Sequence, residues 1–168
     1  MNVKHIAFVV ALLVSFPTIT QATQSGDTMD VTFQGRFLLL APCTVSTDDK
    51  VIEIAFGNVD INKVDGINYV QPIPWTIDCH GAPADIALNL KVSGTATPFE
   101  NTALTTSVTG LGIQILANGQ GMKINEPLKT TLSEAQSIML TAVPVKDPNE
   151  TLTTQAFSAV ATLTAEYQ

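Results

Sequence analysis

Few side chains in this sequence could carry out covalent or acid–base chemistry. Of its two histidines, only His80 lies beyond the first few residues. A nucleophile needs a base beside it, and general acid–base catalysis needs a positioned proton donor or acceptor. Carboxylates are more numerous, but pairs such as Asp48 with Asp49 lie in polar, turn-like segments that are typical of solvated loops. We therefore expect no catalytic site, no metal, no cofactor and no small-molecule substrate.

The first segment has the features of a signal peptide. Lys4 and His5 precede an apolar run from Ile6 to Phe16, and a polar stretch then leads to Ala22. About eleven apolar residues are too few to cross a bilayer core of roughly 30 Å. We expect residues 1–22 to be cleaved and the mature chain to be exported.

Cys43 and Cys79 are the only cysteines, and both lie after the predicted cleavage site. An even pair in an exported chain is most simply a disulfide. No C-x-x-C spacing is present for zinc or for thiol exchange, and Cys79 with His80 alone cannot build a metal site. The sequence therefore predicts a Cys43–Cys79 disulfide.

Composition predicts one globular domain of acidic charge. The 168 residues are 45% hydrophobic and 14% charged, with a net charge of −7. No basic patch is present to neutralise phosphates, which argues against nucleic acid and against an anionic membrane surface as partners.

Alternating apolar and polar residues predict an all-β sandwich. The predicted strands are Val51–Phe56, Val70–Cys79, Ile86–Val92, Gly110–Leu116, Ile138–Val145 and Phe157–Tyr167. Trp75 is expected in the core beside the disulfide, and Asn118–Gly121 is expected to form a hairpin turn. Thr95–Thr109 is predicted to be a loop, and only Leu132–Leu140 has some helical character.

The two ends of the mature chain carry long amphipathic strands with no obvious partner. Near the amino end, within Asp27–Leu38, one parity holds Met29, Val31, Phe33, Gly35 and Phe37. In the last strand, one face holds Phe157, Ala159, Ala161, Leu163, Ala165 and Tyr167. A long alternating terminal strand needs a partner along its edge. The two ends pair either within one chain or between neighbouring chains.

Four stretches together resemble a pilin of the chaperone–usher pathway of Gram-negative bacteria. They are V-T-F-Q-G-R-F followed by Pro42-Cys43, then W-T-I-D-C, then G-L-G-I-Q-I-L-A-N-G, and the ending F-S-A-V-A-T-L-T-A-E-Y-Q. The resemblance spans the mature chain. It implies an incomplete immunoglobulin-like β-sandwich that lacks its last strand, with a donor-strand extension at residues 23–38 and a pilin domain at residues 39–168.

The resemblance also implies the partners and the residues that meet them. Met29, Val31, Phe33 and Phe37 would be anchors inserted into a neighbouring pilin subunit, and Gly35 would lie where the groove admits no side chain. The last strand, with Gln168 and its terminal carboxylate, would contact a periplasmic chaperone, which delivers the subunit to an outer-membrane usher. The chain would be a structural subunit of a cell-surface fimbrium and not an enzyme.

The extension and the ending look most like those of minor tip-fibrillum pilins of P-type pili, while adaptor and rod positions stay open. One departure from the pattern is Gln155-Ala156-Phe157, where many pilins have glycine two positions before the phenylalanine. The alternative function is a self-contained secreted carbohydrate-binding sandwich, with Trp75 or Tyr69 stacking on a sugar.

Overall fold

The structure is a computed structural model that describes residue 29 and residues 31–35, 42–45 and 51–168. The chain divides into two units, Met1–Phe37 and Leu38–Gln168. The predicted signal peptide at residues 1–22 lies outside the described residues. No helix of the described part is long and apolar enough to cross a bilayer.

Strands dominate the second unit. They are β1 (Thr44–Val45), β2 (Gln71–Pro72), β3 (Ile77–Asp78), β4 (Ala87–Ser93), β5 (Ala103–Thr105), β6 (Leu111–Ala117), β7 (Gln120–Gly121), β8 (Leu128–Thr131), β9 (Leu140–Lys146) and β10 (Thr162–Tyr167). Among the described residues, the helical elements are one 3-10 turn, Ile61–Lys63, and one short helix, α1 (Leu132–Ala135). The predicted all-β fold is confirmed.

In the part of the chain that the structure describes, all the strand pairs are antiparallel and none of the sheets closes into a barrel. One sheet has the order β2-β9-β6-β5, with β7 also paired to β6 in a hairpin. A second sheet has the order β10-β4-β8, and β1 pairs with β3 in a separate two-stranded ribbon. The open sheets face a shared apolar core, as in an immunoglobulin-like sandwich.

The hairpin predicted at Asn118–Gly121 is present. Asn118 and Gly119 have φ angles of 51° and 81°, which is the left-handed pair that a two-residue hairpin loop of type I′ requires. The Asn118 side chain also accepts a hydrogen bond from Met139 N at 2.8 Å. The turn therefore joins β6 to β7 and is fastened to the start of β9.

Helix α1 begins at a capping box. Thr131 accepts a hydrogen bond from Glu134 N, and the Glu134 carboxylate accepts one from Thr131 N at 3.0 Å. That backbone hydrogen bond holds the pKa of Glu134 below its usual value, since it favours the ionised form. The helix is shorter than the helical stretch that the sequence suggested at Leu132–Leu140.

Two predictions about local structure are wrong. Thr95–Thr109 is not simply a loop, because it contains β5, where Ala103 and Leu104 are buried. The predicted strand at Val51–Phe56 is extended, with alternating half-buried and exposed residues, but it has no strand assignment. Its alternation reflects packing against the core, whereas a strand also needs a hydrogen-bonded neighbour.

Buried threonines on both sides of β5 make its stretch of the sequence look like a polar loop. Thr97, Thr102 and Thr106 are buried, although Thr is a common residue of strand surfaces. Each hydroxyl is satisfied internally; Thr106 Oγ1, for instance, donates to Leu111 O at 3.0 Å. A threonine can be buried at such a position only if its hydroxyl has a hydrogen-bond partner, and the alternation of apolar and polar residues does not reveal that partner.

The core has two main parts that both reach β10. One is built on Leu90, Val92, Ile113 and Ile115 from the centres of the two large sheets. The other surrounds the disulfide and contains Ile77, Cys79, Leu88, Leu132 and Ala135. Residues of β10 pack against each part but stay only half-buried.

We expect Leu90→Ala to destabilise the domain strongly, because Leu90 has no exposed surface. Removing a fully buried leucine side chain costs about 2–5 kcal/mol. Its cross-strand partner Leu128 is 36% exposed, so Leu128→Ala is the matched control and should cost about 1 kcal/mol or less. Urea unfolding of the two variants measures the difference. Equal losses would contradict this assignment of the core.

Candidate functional site: an open sheet edge

The strand β10 lies at the edge of its sheet and has β4 on one side only. Its register places Leu163 opposite Val92 and Ala165 opposite Leu90. In the strand order of the described residues, no strand follows on its other side. β1 lies close to β10, but the described residues show no hydrogen-bonded pairing between these two strands. The sheet therefore ends on a strand with an unpaired outer edge in the described part of the chain.

Hydrogen bonds at both ends of β4 show which residues of β10 face outward. Gln168 N donates to Ala87 O at 3.1 Å, directly across the register. Val92 O instead accepts from Asn125 N at 2.8 Å, on the side of β4 away from β10. Because antiparallel pairs alternate between bonded and non-bonded positions, Thr164 and Glu166 bond to β4.

The main-chain groups of Leu163 and Ala165 consequently point away from β4, toward the open edge. Within the described part of the chain, no hydrogen bond joins these groups to another segment. Leaving a backbone N–H or C=O group unpaired in a half-buried setting raises the free energy of the folded state. These two residues therefore define a short row of donors and acceptors ready for an added strand.

The side chains of the same strand form an incompletely covered apolar face. Leu163, Ala165 and Tyr167 are half-buried, whereas Thr162 and Glu166 on the opposite face are exposed. Leu163 and Ala165 pack against the central core, and Tyr167 packs against the core around the disulfide. An added strand would cover the remaining apolar surface.

An open cavity of about 790 Å³ lies where the chain approaches β10. It is lined by Ile54 and Phe56 from the extended segment, by Leu111 and Leu152, and by Phe157. The rings of Phe56 and Phe157 have centroids 5.9 Å apart and are tilted by 46°. The residues that line this cavity precede β10, and none of them belongs to β10 itself.

The predicted last strand, Phe157–Tyr167, is only partly confirmed. Residues 157–161 have no strand assignment, and Ala159 and Ala161 are exposed. Ser158 turns toward the other sheet, since Ser158 O accepts from Ser107 N at 2.9 Å and Ser158 N donates to Ser107 Oγ at 3.1 Å. The site thus joins Phe157 with Leu163, Ala165 and Tyr167, but leaves the two alanines between them outside the packed face.

The predicted anchors of the amino-terminal extension are exposed wherever the structure describes them. Met29 is 84%, Val31 57% and Phe33 92% exposed. Gly35 is also exposed, and no neighbouring atom lies within 4 Å of the position a Cβ would take. Phe37 lies outside the described residues. Burial of these side chains in a neighbouring subunit stays a prediction.

The disulfide between Cys43 and Cys79 is present, as predicted. Trp75 packs against both main parts of the core, and its indole N–H donates to Ile138 O at 3.2 Å. Tyr69 is half-buried, and its hydroxyl accepts a hydrogen bond from Asp60 N at 3.1 Å. Trp75 is half-buried and packs against the core beside the disulfide, where the sequence placed it.

Some polar side chains outside the open edge stabilise turns. Asp65 accepts hydrogen bonds from the backbone of Asn68 and Ile67, and these bonds lower its pKa. The described residues contain no group of three or more His, Cys, Asp or Glu side chains that could hold a metal.

The sequence did not predict the residues that line the cavity. Ile54 and Phe56 were assigned to a strand, and Leu152 was assigned to no element. They meet only through tertiary packing with Phe157. The single available signal was the alternation of Ile52, Ile54 and Phe56, which indicates a buried face but not the neighbour that covers it.

Comparison with known proteins identifies the family of this disulfide-containing, open-edged sandwich. The family described as "Fimbrial protein" matches residues 31–168, and the chain belongs to this family. It is a chaperone–usher pilin: a non-enzymatic structural subunit of a cell-surface fimbrium that associates with other pilin subunits.

Individual relatives show how far the similarity extends. The chain is 34% identical over 142 residues to the uncharacterized fimbrial-like protein YfcQ of Escherichia coli (strain K12), covering 83% of this chain and 87% of the relative. The crystal structure of the P pilus rod subunit PapA is similar with a TM-score of 0.62 and 25% identity, covering 76% of this chain and all of that one. The P pilus adaptor subunit PapF gives a TM-score of 0.53 at 25% identity, with 77% and 98% coverage.

The open edge should be visible in amide hydrogen exchange of the mature chain. We expect the amides of Leu163 and Ala165 to exchange at least about tenfold faster than those of Thr164 and Glu166, because only the latter two bond to β4. The comparison is internal to one strand, so overall stability affects all four amides alike. Equal protection along β10 would show that its outer edge is already paired.

Proposed function

We propose that this chain polymerises by donor-strand exchange. Residues Asp27–Leu38 of one subunit are added as a strand along the outer edge of β10 in the next. The observation that carries the proposal is the outward-facing main chain of Leu163 and Ala165 beside half-covered apolar side chains. Addition of a strand to an exposed sheet edge supplies both hydrogen bonds and apolar contacts.

The extension offers the apolar surface that this edge needs. Met29 and Phe33 are each more than four-fifths exposed, so nearly all of their side-chain surface remains to be buried. Each fully buried apolar side chain contributes about 1.5–3 kcal/mol. Gly35 adds no side chain, which lets the two backbones approach closely at that position.

Before assembly, the same edge requires a temporary partner. We propose that a periplasmic chaperone pairs with the strand Thr162–Tyr167 and with Gln168, and that an outer-membrane usher receives the complex. An unpaired strand edge beside half-buried apolar side chains favours aggregation. A chaperone that occupies the edge keeps the subunit soluble until the extension of the next subunit replaces it.

We also propose that the chain is a minor subunit of the tip region of the pilus. The resemblance of its extension and of its ending to those of minor tip pilins supports this position. The fold is similar to that of both a rod subunit and an adaptor subunit, so it is common to several positions along a pilus. An extension together with an open edge suits a subunit with neighbours on both sides.

A self-complemented fusion tests strand addition directly. A second copy of residues 27–38, joined after Gln168 by a short flexible linker, should raise the urea midpoint and protect the amides of Leu163 and Ala165. Burial of at least two anchors predicts a gain of about 3 kcal/mol or more. The matched control carries Val31→Asp and Phe33→Asp in the added copy only. Equal stability of the fusion and its control would reject the proposal.

A second experiment separates the extension from the edge. Phe33→Asp should abolish incorporation into fibres while leaving chaperone binding intact, because an unpaired carboxylate would have to be buried in the neighbour. Gln34→Asp, the next residue on the opposite parity, is the control and should still assemble. Fibre yield and co-purification with the chaperone are the two readouts. Loss of both activities in Phe33→Asp would contradict the assigned role of the extension.

A further inference from the structure

The two sheets differ in the charge of the faces that they turn away from the shared core. On the three-stranded sheet, Lys129 and Glu166 lie opposite the same residue of β4, and Lys91 lies two residues further along β4 on the same parity. The described strands of the five-stranded sheet contain a single charged residue, Lys146, and it lies opposite Leu111 on the parity of the core. The outer face of the five-stranded sheet therefore carries no charged side chain.

Part of this uncharged face is apolar and open. Pro72 and Leu116 both lie opposite Thr141, so the three side chains share one face. Val70 continues this parity before β2, and Met139 continues it before β9. Met139 is 72% and Val70 43% exposed, Pro72 is exposed, and Leu116 and Thr141 are half-buried. These five residues are named the outer patch.

Hydrogen bonds fix the backbone beneath the outer patch. Met139 N donates to Asn118 Oδ1 at 2.8 Å, and Met139 O accepts from Asn118 N at 2.9 Å. On the other side of β9, Ile73 N donates to Leu140 O at 2.9 Å. The exposed Met139 is thus held at the start of a paired strand. A surface that is already ordered loses little conformational entropy when it binds.

The chain itself covers the other half of this face. Val143 has no exposed surface, although it lies on the outer parity opposite Gln114. Gly66 lies so close that a Cβ on it would be 3.2 Å from Val145 Cγ1. Gln114 Nε2 donates to Thr102 Oγ1 at 2.8 Å. Cover of this kind ends before the outer patch, which stays exposed in the described part of the chain.

We propose that a second copy of this chain packs on the outer patch, with the patches of the two copies face to face. This contact goes beyond the proposed strand addition. It lies on a different sheet from β10, and it requires neither the extension nor the open edge.

Charge favours a second copy over other partners. The chain has a net charge of −7, so two copies repel one another wherever their charged surfaces meet. The outer patch permits close approach because it has no charged side chain, and interface cores are depleted in charge and enriched in methionine. A basic partner would gain no ion pair from this patch, and the acidic chain would repel nucleic acid or an anionic membrane.

The size of the outer patch predicts a weak contact of two-fold symmetry. Standard interfaces use roughly 20–30 residues a side, many more than this patch provides. Two-fold symmetry lets one patch serve both copies. Thr141 lies between Pro72 and Leu116 in the register and next to Met139 on its own strand. The symmetry axis would therefore pass near Thr141, with the two packed sheets about 10 Å apart.

A short thiol cross-linker tests the contact in the full mature chain. The test chain carries Thr141→Cys, and the control carries Lys129→Cys on the outer face of the other sheet. Cys43 and Cys79 are joined to each other and do not react. A bis-maleimide that spans about 10 Å, the spacing of packed sheets, should give at least about tenfold more dimer from the test chain. In a face-to-face dimer the two control thiols lie on opposite sides and out of reach.

Two added substitutions separate the outer patch from strand addition. Met139→Asp, added to the Thr141→Cys chain, should lower the dimer yield to that of the Lys129→Cys control, because like charges would meet across the contact. Met139 is 72% exposed, so the urea midpoint should not change. Phe33→Asp, added to the Thr141→Cys chain instead, should leave the dimer yield unchanged.

Each other outcome overturns a defined part of the inference. Equal dimer yields from Thr141→Cys and Lys129→Cys overturn the face-to-face contact, and so does a yield that Met139→Asp leaves unchanged. Cross-linking only to a different protein overturns the second copy as the partner. Loss of the dimer with Phe33→Asp overturns the independence from strand addition. Failure of the self-complemented fusion to gain stability would reject strand addition and leave this contact intact.

Discussion

The need to pair the outer edge of β10 governs this structure. A sheet interior satisfies its backbone groups through neighbouring strands, but Leu163 and Ala165 turn theirs outward, and the described part of the chain supplies no partner. A hydrogen bond that is formed adds only modestly to folding stability, whereas a half-buried donor or acceptor without a partner destabilises the fold by its full desolvation cost. The proposed strand addition would supply these missing hydrogen bonds, so it would stabilise the domain as well as link it to another subunit.

The apolar core is also incomplete near β10. The central core is complete around Leu90 and Val143, which have no exposed surface. It becomes incomplete toward β10, Phe56 and Phe157, which are only half-buried. The missing apolar cover and the missing hydrogen bonds thus occur along one border of the sandwich. A single added strand with alternating apolar side chains can supply both.

Much of the fold could be predicted from the sequence because its strands alternate cleanly and its turns use characteristic residues. β4, β6, the Asn118-Gly119 hairpin and the disulfide are where the pattern indicated. β5 could not be predicted because the residues before it look polar, although Thr97 and Thr102 among them are buried through hydrogen bonds that no local pattern shows. The apolar border at Ile54 and Phe56 was read as a strand, since alternation indicates a buried face but not a hydrogen-bonded neighbour.

The amino-terminal extension has alternating apolar and polar residues that its own structure does not explain. Thr32 and Gln34 are exposed together with Val31 and Phe33, and residues 31–35 have no strand assignment. A period of two in a segment that buries neither parity has no local structural cause. It becomes intelligible if the apolar parity is matched to a face in another subunit, as the proposed strand addition requires. The edge of β10 is the face that the proposed function assigns to the extension.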